Sequence, residues 1–549
     1  MKVFQPKLFT SLKGYNGSKL ANDVVAGIIV AIIALPLSIA LAIASGVSPE
    51  QGLYTAIVAG FVIAMLGGSN VNISGPTAAF ATIVAGIVAT HGLSGLILAT
   101  IIAGLILILM GVFRLGSLIK YIPMTITTGF TSGIAITIII GQVKDFLGLT
   151  FAPGTNAIET TEKVSAIAKS IGTININALI VGLIGMAILI LWPMLGKTKL
   201  GIFSKICSKI PASIIAVIVG IIIVNCTSLE VNTIGTLYPD LKAGFPTPAL
   251  PEFSFETIKS VVPSAFTIAI LAAIESLLSC VVSDGMIGDK HNSNTELIAQ
   301  GVGNICSGIF GGIPATGAIA RTAANVKNGG RSPISGMVHA IVLLLFLIVL
   351  MPLAKMIPMP IIAAILFMVA YNMSEWRRFV DICKHAPKSD ILVLVVTFVL
   401  TVAFDLVVAI AVGLILATVL FMKKISDVSN FRKWDEQSDG NAKKIPQNTV
   451  VYEINGPMFF ADAEKILDFD IEENIKTVIV RMSRVELVDA TAMRDFEILL
   501  DKCRKQNARL ILSHVNESAM KTMKKSGFYD KLGSENFADN IDKALEMAE

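Results

Sequence analysis

Glu275 is the only Asp, Glu, Lys or Arg residue in the apolar stretch of residues 261–282. A carboxylate there costs about 2.5 kcal/mol or more if the stretch crosses a membrane, so such a residue is a functional-site candidate. It can bind a proton or, with the hydroxyl of Ser279 one helical turn further on, a sodium ion. The alternative is a structural hydrogen bond from Glu275 to a neighbouring helix. We predict that Glu275 and Ser279 form a coupling-ion site.

Two glycine-containing motifs each precede an apolar segment that is too short to cross a bilayer. The first motif contains Gly67-Gly68 and then Ser74-Gly75-Pro76-Thr77-Ala78, and the second contains Gly311-Gly312 and then Thr316-Gly317-Ala318-Ile319-Ala320. Both end in the pattern Ser/Thr-Gly-x-x-Ala, which indicates a distant internal repeat. Short, interrupted segments at matching positions of two inverted halves are typical of a binding site at the membrane midplane. The alternative is that the glycines only mark loops in a helical bundle.

Helices that begin at these two motifs would face each other with their N-termini. Unpaired backbone N–H groups and the positive ends of the helix dipoles then form a site for an anion. Arg321 lies just inside the second segment. Its side chain either adds positive potential to this site or extends to the membrane surface beside Lys327 and Arg331.

The elements that would position these residues are apolar segments separated by Gly, Pro and charged residues. There are about fourteen of them, near residues 24–44, 51–66, 77–90, 93–113, 122–143, 174–195, 211–226, 261–282, 295–310, 318–325, 334–353, 358–372, 389–404 and 406–422. The two motifs start the third and the tenth segment, which is the third of a second set of seven. An odd number of spans per set makes the two copies inverted, so we predict a 7+7 inverted repeat.

The composition of the chain changes near residue 423. Of the 549 residues, 54% are hydrophobic and 15% charged, against about 25% charged in soluble proteins. Residues 423–549, however, contain 43 of the Asp, Glu, Lys and Arg residues. We predict a polytopic α-helical membrane protein with a small C-terminal α/β domain, divided into a leader (1–22), a transport domain (23–422, repeats about 23–226 and 261–422), a linker (423–447) and the C-terminal domain (448–549).

The charge pattern also predicts topology and excludes other classes of protein. With the N-terminus in the cytoplasm, the loops rich in Lys and Arg lie on the cytoplasmic side, and an even number of spans returns the tail there. The net charge of +4 comes from the membrane part, so nucleic-acid binding is not expected. The first 422 residues contain no Walker motif, Ser/His/Asp grouping or metal-ligand spacing, so we expect neither an enzyme nor a cofactor beyond a coupling proton or sodium ion.

Several stretches resemble the sulfate permease (SulP) family of anion transporters over nearly the whole chain. They are Ala34-Leu35-Pro36-Leu37-Ser38-Ile39-Ala40-Leu41-Ala42, Ile73-Ser74-Gly75-Pro76-Thr77-Ala78, Ile274-Glu275-Ser276-Leu277-Leu278, residues 291–301 (HNSNTELIAQG) and Gly317-Ala318-Ile319-Ala320-Arg321-Thr322-Ala323-Ala324-Asn325. The resemblance implies a core domain that moves against a gate domain, an anion held between the third and tenth segments, and a homodimer.

The resemblance also implies roles for individual residues. Thr77, Ala78, Ala320 and Arg321 would lie at the ends of the two half-helices, and Leu37, Ser38 and Leu41 would line the anion pocket from the first span. Glu275 would match the acidic coupling position of the family. That position is Asp, used with sodium, in some bicarbonate carriers, whereas Glu is similar to the proton-coupled members.

The C-terminal domain resembles the domain shared by sulfate transporters and anti-sigma-factor antagonists (STAS). Residues 449–454, 476–480 and 509–512 are predicted strands, and 463–467, 492–506 and 517–525 are predicted helices. Where soluble relatives have Asp-Ser-Ser-Gly with a phosphorylated first Ser, this chain has Asp489-Ala490-Thr491-Ala492. We therefore expect a role in assembly or trafficking, through a cytoplasmic partner, rather than phosphorylation.

Together these patterns predict a secondary active transporter of a small inorganic anion, of the sulfate or bicarbonate class, in the inner membrane and coupled to protons through Glu275. Sodium-coupled bicarbonate transport, proton-coupled dicarboxylate transport and an uncoupled channel or exchanger remain alternatives. A further alternative is a membrane sensor that binds the anion without net flux.

Overall fold

The computed structural model describes residues 4–117, 123–153, 157, 159–196, 207, 210–227, 229–241, 244–248, 254–404, 406–434, 444–460, 466, 467, 469, 471, 472 and 474–549. The chain forms two compact units, Met1–Leu414 and Ile415–Glu549. The first unit is helical, and the second contains the charged C-terminal residues.

The first half of the membrane unit consists mostly of long helices. These are α1 Lys7–Ser11, α2 Gly17–Ala44, α3 Pro49–Tyr54, α4 Gly60–Leu66, α5 Ala81–Val112, α6 Met124–Leu147, α7 Thr160–Ser170, α8 Ile176–Leu195 and α9 Ala212–Thr227. Strand β1, Ser74–Gly75, and a 3-10 turn, Ala78–Phe80, precede α5. Gly92 interrupts α5 with φ 64° and ψ −170°, a conformation that glycine adopts without strain. The third and fourth predicted segments are therefore the two parts of α5.

The second half repeats this pattern. It contains α10 Ile234–Leu237, α11 Phe255–Ile287, α12 Ser293–Ile309, strand β2 Thr316–Gly317, α13 Ile319–Lys327, α14 Pro333–Ala354, α15 Met359–Met373, α16 Trp376–His385, α17 Lys388–Ala403 and α18 Leu406–Val428. Among the described residues, nine helical stretches are long and apolar enough to cross a membrane. Each of the fourteen predicted segments corresponds to a helix or half-helix, so the predicted fold class is confirmed.

The membrane helices pack in two groups. Helices α2, α4 and α5 contact α11, α12 and α14, whereas α6, α8 and α9 contact each other or α15 and α17. Segments one to four therefore pack with segments eight to eleven, and segments five to seven pack with twelve and thirteen. This is the division into a core and a gate that the resemblance implied.

The C-terminal unit contains a five-stranded sheet. Its strands are β3 Asn430–Lys433, β4 Thr449–Asn455, β5 Thr477–Arg484, β6 Arg509–Ser513 and β7 Phe537–Ala538, and its helices are α19 Ala490–Lys505, α20 Glu517–Lys525, α21 Phe528–Leu532 and α22 Ile541–Glu546. The strand order is β3-β4-β5-β6-β7, with only the β3–β4 pair antiparallel. Val478, Ile479 and Val480 are all buried, as expected of a parallel strand that is covered on both faces. Within the predicted linker 423–447 lie the end of α18 and strand β3.

Candidate functional site

Strands β1 and β2 bring the two glycine motifs together. They pair antiparallel, with Ser74 opposite Gly317 and Gly75 opposite Thr316. Each Ser or Thr thus lies opposite the glycine of the other motif, and because the strands run antiparallel, the two half-helices begin at opposite ends of the strand pair.

Neither half-helix begins with a side-chain N-cap. Thr77 and Ala318 precede the first helical residues, and neither makes a capping hydrogen bond from its side chain. The N–H groups of a first helical turn have no partner within the helix. Two sets of N–H groups, with the positive dipole ends behind them, thus lie close together, which suits a small anion.

Glu275 on α11 lies at the start of the first half-helix. The Thr77 hydroxyl donates to Glu275 Oε2 at 3.0 Å. The Glu275 side chain is partly buried, and its carboxylate interacts electrostatically with the guanidinium of Arg321. The hydrogen bond of Glu275 to a neighbouring segment therefore connects it to the site itself.

Arg321 places a positive charge inside the core. Its side chain is only 2% exposed, and Nη2 donates to the carbonyl oxygen of Pro76. A Cβ at Gly75 would lie 2.6 Å from Arg321 Nη1, so a larger residue there would displace the guanidinium. Of the two orientations open from the sequence, the structure has the one in which Arg321 faces the first half-helix rather than the membrane surface.

The remaining predicted residues occupy different environments. Ala320 is exposed and Leu37 is half-buried, whereas Ala78, Ser38 and Leu41 are buried. Ser279 does not bond to Glu275, because its hydroxyl donates to Asn72 Oδ1 at 2.7 Å and to Thr322 Oγ1 at 3.1 Å.

Sequence reasoning missed the polar face of α12. Glu296, Gln300 and Asn304 are all fully or nearly fully buried, and their spacing of four residues puts them on one side of the helix. Gln300 Nε2 donates to Ser74 Oγ at 2.9 Å, and the Asn304 amide exchanges two hydrogen bonds with the backbone of Ala315, at 2.8 and 2.9 Å. The recurrence of long polar side chains every four residues within this helix would have indicated them from the sequence.

No cluster of three or more His, Cys, Asp or Glu residues that could hold a metal ion occurs among the described residues. The chemistry that this arrangement supports is anion binding next to a carboxylate that can take up a proton.

Comparisons with known proteins show the family of this chain. The model of the sulfate permease family matches residues 20–397, and that of the STAS domain matches residues 441–544. The putative sulfate transporter YvdB of Bacillus subtilis is 36% identical over 97% of this chain and 98% of its own length. The chain belongs to the sulfate permease family.

A bicarbonate transporter and a solved structure are also similar to this chain. The bicarbonate transporter BicA of Picosynechococcus is 31% identical over 81% of this chain and 80% of its own length. The solved structure of the murine anion transporter Slc26a9, in the inward-facing state, matches with a TM-score of 0.87 over 99% of this chain and 93% of that chain. At 19% identity, the second likeness shows the shared fold.

Proposed function

We propose that this protein is a proton-coupled, secondary active transporter of a small inorganic anion of the sulfate or bicarbonate class. The anion would bind between the N-termini of the half-helices that follow β1 and β2. The observation that carries this proposal is the hydrogen bond from Thr77 to Glu275, because it attaches a protonatable group directly to the start of one half-helix.

The charges of the site explain how proton and anion would be coupled. With Glu275 ionised, its negative charge offsets the positive charge of Arg321, with which it interacts. When Glu275 takes up a proton, the charge of Arg321 and the two helix dipoles are no longer opposed. The site then attracts an anion more strongly, so proton and anion bind together and are released together.

The arrangement favours a proton over sodium as the coupling ion. Sodium is bound by several oxygen ligands, and Ser279 was the predicted second ligand beside Glu275. Its hydroxyl is engaged with Asn72 and Thr322, whereas protonation of Glu275 requires no second ligand.

The choice of anion rests on the relatives and on the nature of the site. A putative sulfate transporter and a bicarbonate transporter are both similar along most of the chain. Backbone N–H groups and dipoles recognise negative charge more than molecular identity. Sulfate and bicarbonate are therefore the first substrates to test, with succinate to represent the dicarboxylates.

The membrane unit and the tail have separate roles in this proposal. The protein would lie in the inner membrane as a homodimer, with the N-terminus and STAS domain in the cytoplasm. Asp489 caps α19 by accepting from Ala492 N at 2.9 Å, and Ala490 follows it without a hydroxyl. The STAS domain would thus act through a cytoplasmic partner in assembly or trafficking.

The test is uptake of labelled sulfate, bicarbonate and succinate into proteoliposomes under a proton gradient, a sodium gradient or neither. We expect accumulation of an inorganic anion under the proton gradient alone. Glu275→Gln should abolish proton-driven accumulation and retain anion exchange, whereas Glu256→Gln, an exposed carboxylate on the same helix, should behave as the wild type.

Other outcomes would contradict the proposal in defined ways. Accumulation that requires sodium would make Glu275 a cation ligand. Flux without any gradient dependence, persisting in Glu275→Gln, would indicate a channel or exchanger. Unchanged proton-driven accumulation in Glu275→Gln would exclude this residue as the coupling site.

A further inference from the structure

A second carboxylate, Glu296 on α12, lies buried in the core and takes no part in the coupling described above. Its side chain is 1% exposed. It accepts hydrogen bonds from Gly68 N at 2.9 Å, from Asn72 Nδ2 at 2.7 Å and from Gln300 Nε2 at 3.0 Å. All three donors are uncharged.

The stability of this carboxylate depends on its hydrogen bonds. Among the ion pairs formed by described residues, none includes Glu296. A buried charge without hydrogen-bond partners is strongly destabilising. The three neutral donors must therefore be held in place for the carboxylate to be buried, and the carboxylate in turn holds them.

The donors belong to the connection that leads into the first half-helix. Gly68 and Asn72 lie between α4 and β1, and Gln300 also donates to Ser74 Oγ in β1 at 2.9 Å. Glu296 thus holds the connection at its start, Gly68, and at its end, Asn72. Through Gln300 it also holds strand β1, which follows the connection.

Asn72 carries the effect of Glu296 to both charged residues of the site. Its Oδ1 accepts from Ser279 Oγ at 2.7 Å and from Thr322 Oγ1 at 3.0 Å. Ser279 lies one helical turn from Glu275, and Thr322 is adjacent to Arg321. Because the Glu296 carboxylate accepts a hydrogen bond from the Asn72 Nδ2, the amide is held with Oδ1 towards the two hydroxyls.

From these contacts we infer that Glu296 is a positioning residue of the anion site. Its carboxylate orients the Asn72 amide and thereby fixes the first half-helix, α11 and α13 relative to one another. The inference rests on the proposed function for the location of the anion site, but not on proton coupling.

Glu296→Gln tests the inference, since it places an NH2 group where donors now converge. The new side chain cannot accept from all three donors at once, so the Asn72 amide is held less firmly with its Oδ1 towards Ser279 and Thr322. We expect the Kd for sulfate or bicarbonate, measured by anion-induced thermal stabilisation of the purified protein, to rise about tenfold. The transport KM should rise equally with kcat nearly unchanged. Glu256→Gln is the control.

Exchanging the two groups provides a rescue. In the double variant Glu296→Gln with Asn72→Asp, the new glutamine donates to the new aspartate, which still accepts from Ser279 and Thr322. Gln300 can turn its amide, because its Oε1 has no partner among the described residues. We expect the double variant to restore Kd to within about threefold of the wild type. Asn72→Asp alone should raise Kd more than Glu296→Gln or the double variant does, because it places a second carboxylate against that of Glu296.

The inference is overturned if Glu296→Gln binds the anion as tightly as the wild type. It is equally overturned if the double variant inserts and melts like the wild type but keeps the raised Kd, since the charge at position 296 would then act by itself. Should Glu296→Gln fail to insert, Glu296→Asp is the second measurement. Its shorter side chain cannot reach Gly68 and Asn72 together, so an unchanged Kd would refute the inference.

The same measurements separate this inference from the proposed function. A wild-type protein that binds sulfate or bicarbonate without proton-driven uptake contradicts the coupling mechanism and leaves the Glu296 test intact. The opposite result is an unchanged Kd in the Glu296 variants together with lost proton-driven accumulation in Glu275→Gln, which would overturn the inference and leave the coupling mechanism intact.

Discussion

The two half-helix starts share a backbone arrangement but are held by different chemistry. The first, after β1, is held by charged groups: Arg321 binds the Pro76 carbonyl, and Glu296 binds the connection before the strand. The second, after β2, is held by neutral side chains. Ser276 Oγ accepts from Gly317 N at 2.9 Å, and the Asn304 amide pairs with Ala315.

On the proposed function, this difference is what would turn an inverted repeat into a coupled site. Two equivalent copies supply two equivalent helix N-termini, which are sufficient for anion binding. The proposed coupling needs a charge that can change. Glu275, Arg321 and Glu296 all form hydrogen bonds to the first start or to the connection before it, and Arg321 makes its bond from the first turn of α13, in the second half-helix. The side chains that hold the second start in place, Ser276 and Asn304, are neutral.

The largest expected effect follows from removing the charge at the first start. Arg321→Gln should weaken anion binding by about 2 to 3 kcal/mol, or roughly 100-fold, because the site loses its positive charge. The measurement is Kd for sulfate and bicarbonate by thermal stabilisation. Arg321→Lys, which keeps the charge, should bind at an intermediate level. If Arg321→Gln binds the anion with wild-type affinity, the positive charge of Arg321 does not contribute to the anion site.

A smaller effect is expected from steric changes at matching positions of the two starts. Ala320 is exposed and Ala78 is 5% exposed. Ala320→Leu should raise the transport KM at least tenfold by occupying the anion position, with little change in melting temperature. Ala78→Leu should instead destabilise the fold by about 1 to 3 kcal/mol through overpacking. Undiminished affinity in Ala320→Leu would contradict an anion site at the second start.

The smallest effect on transport is expected at the neutral start. Asn304→Ala leaves the N–H and C=O of Ala315 unpaired, at a cost of about 1 to 3 kcal/mol for each buried group. The melting temperature should fall, while the ratio of protons to anions transported stays the same. Asn328→Ala, an exposed residue, is the control for stability. A changed coupling ratio in Asn304→Ala would show that the second start also takes part in coupling.

Much of the membrane fold was predictable because the length of an apolar segment reflects the thickness of the bilayer. Glycine residues mark where such segments are interrupted. All fourteen segments, the kink region between residues 90 and 93, and most strands of the C-terminal sheet followed from such patterns. The start of α2 at Gly17 was missed, since Asn16 caps a polar first turn by accepting from Lys19 N at 3.0 Å. Hydropathy does not record such a cap.

Sequence by itself determined the class of protein, the repeat and the candidate residues Glu275 and Arg321, because a charge in an apolar segment is conspicuous wherever it points. Only the tertiary structure decided the partners of these groups. Arg321 could have reached the membrane surface, and Ser279 could have joined Glu275. The packing of α11 against α13 and the connection before β1 instead turned Ser279 towards Asn72 and Thr322. Hydrogen bonds between residues more than two hundred positions apart depend on packing, which no local pattern encodes.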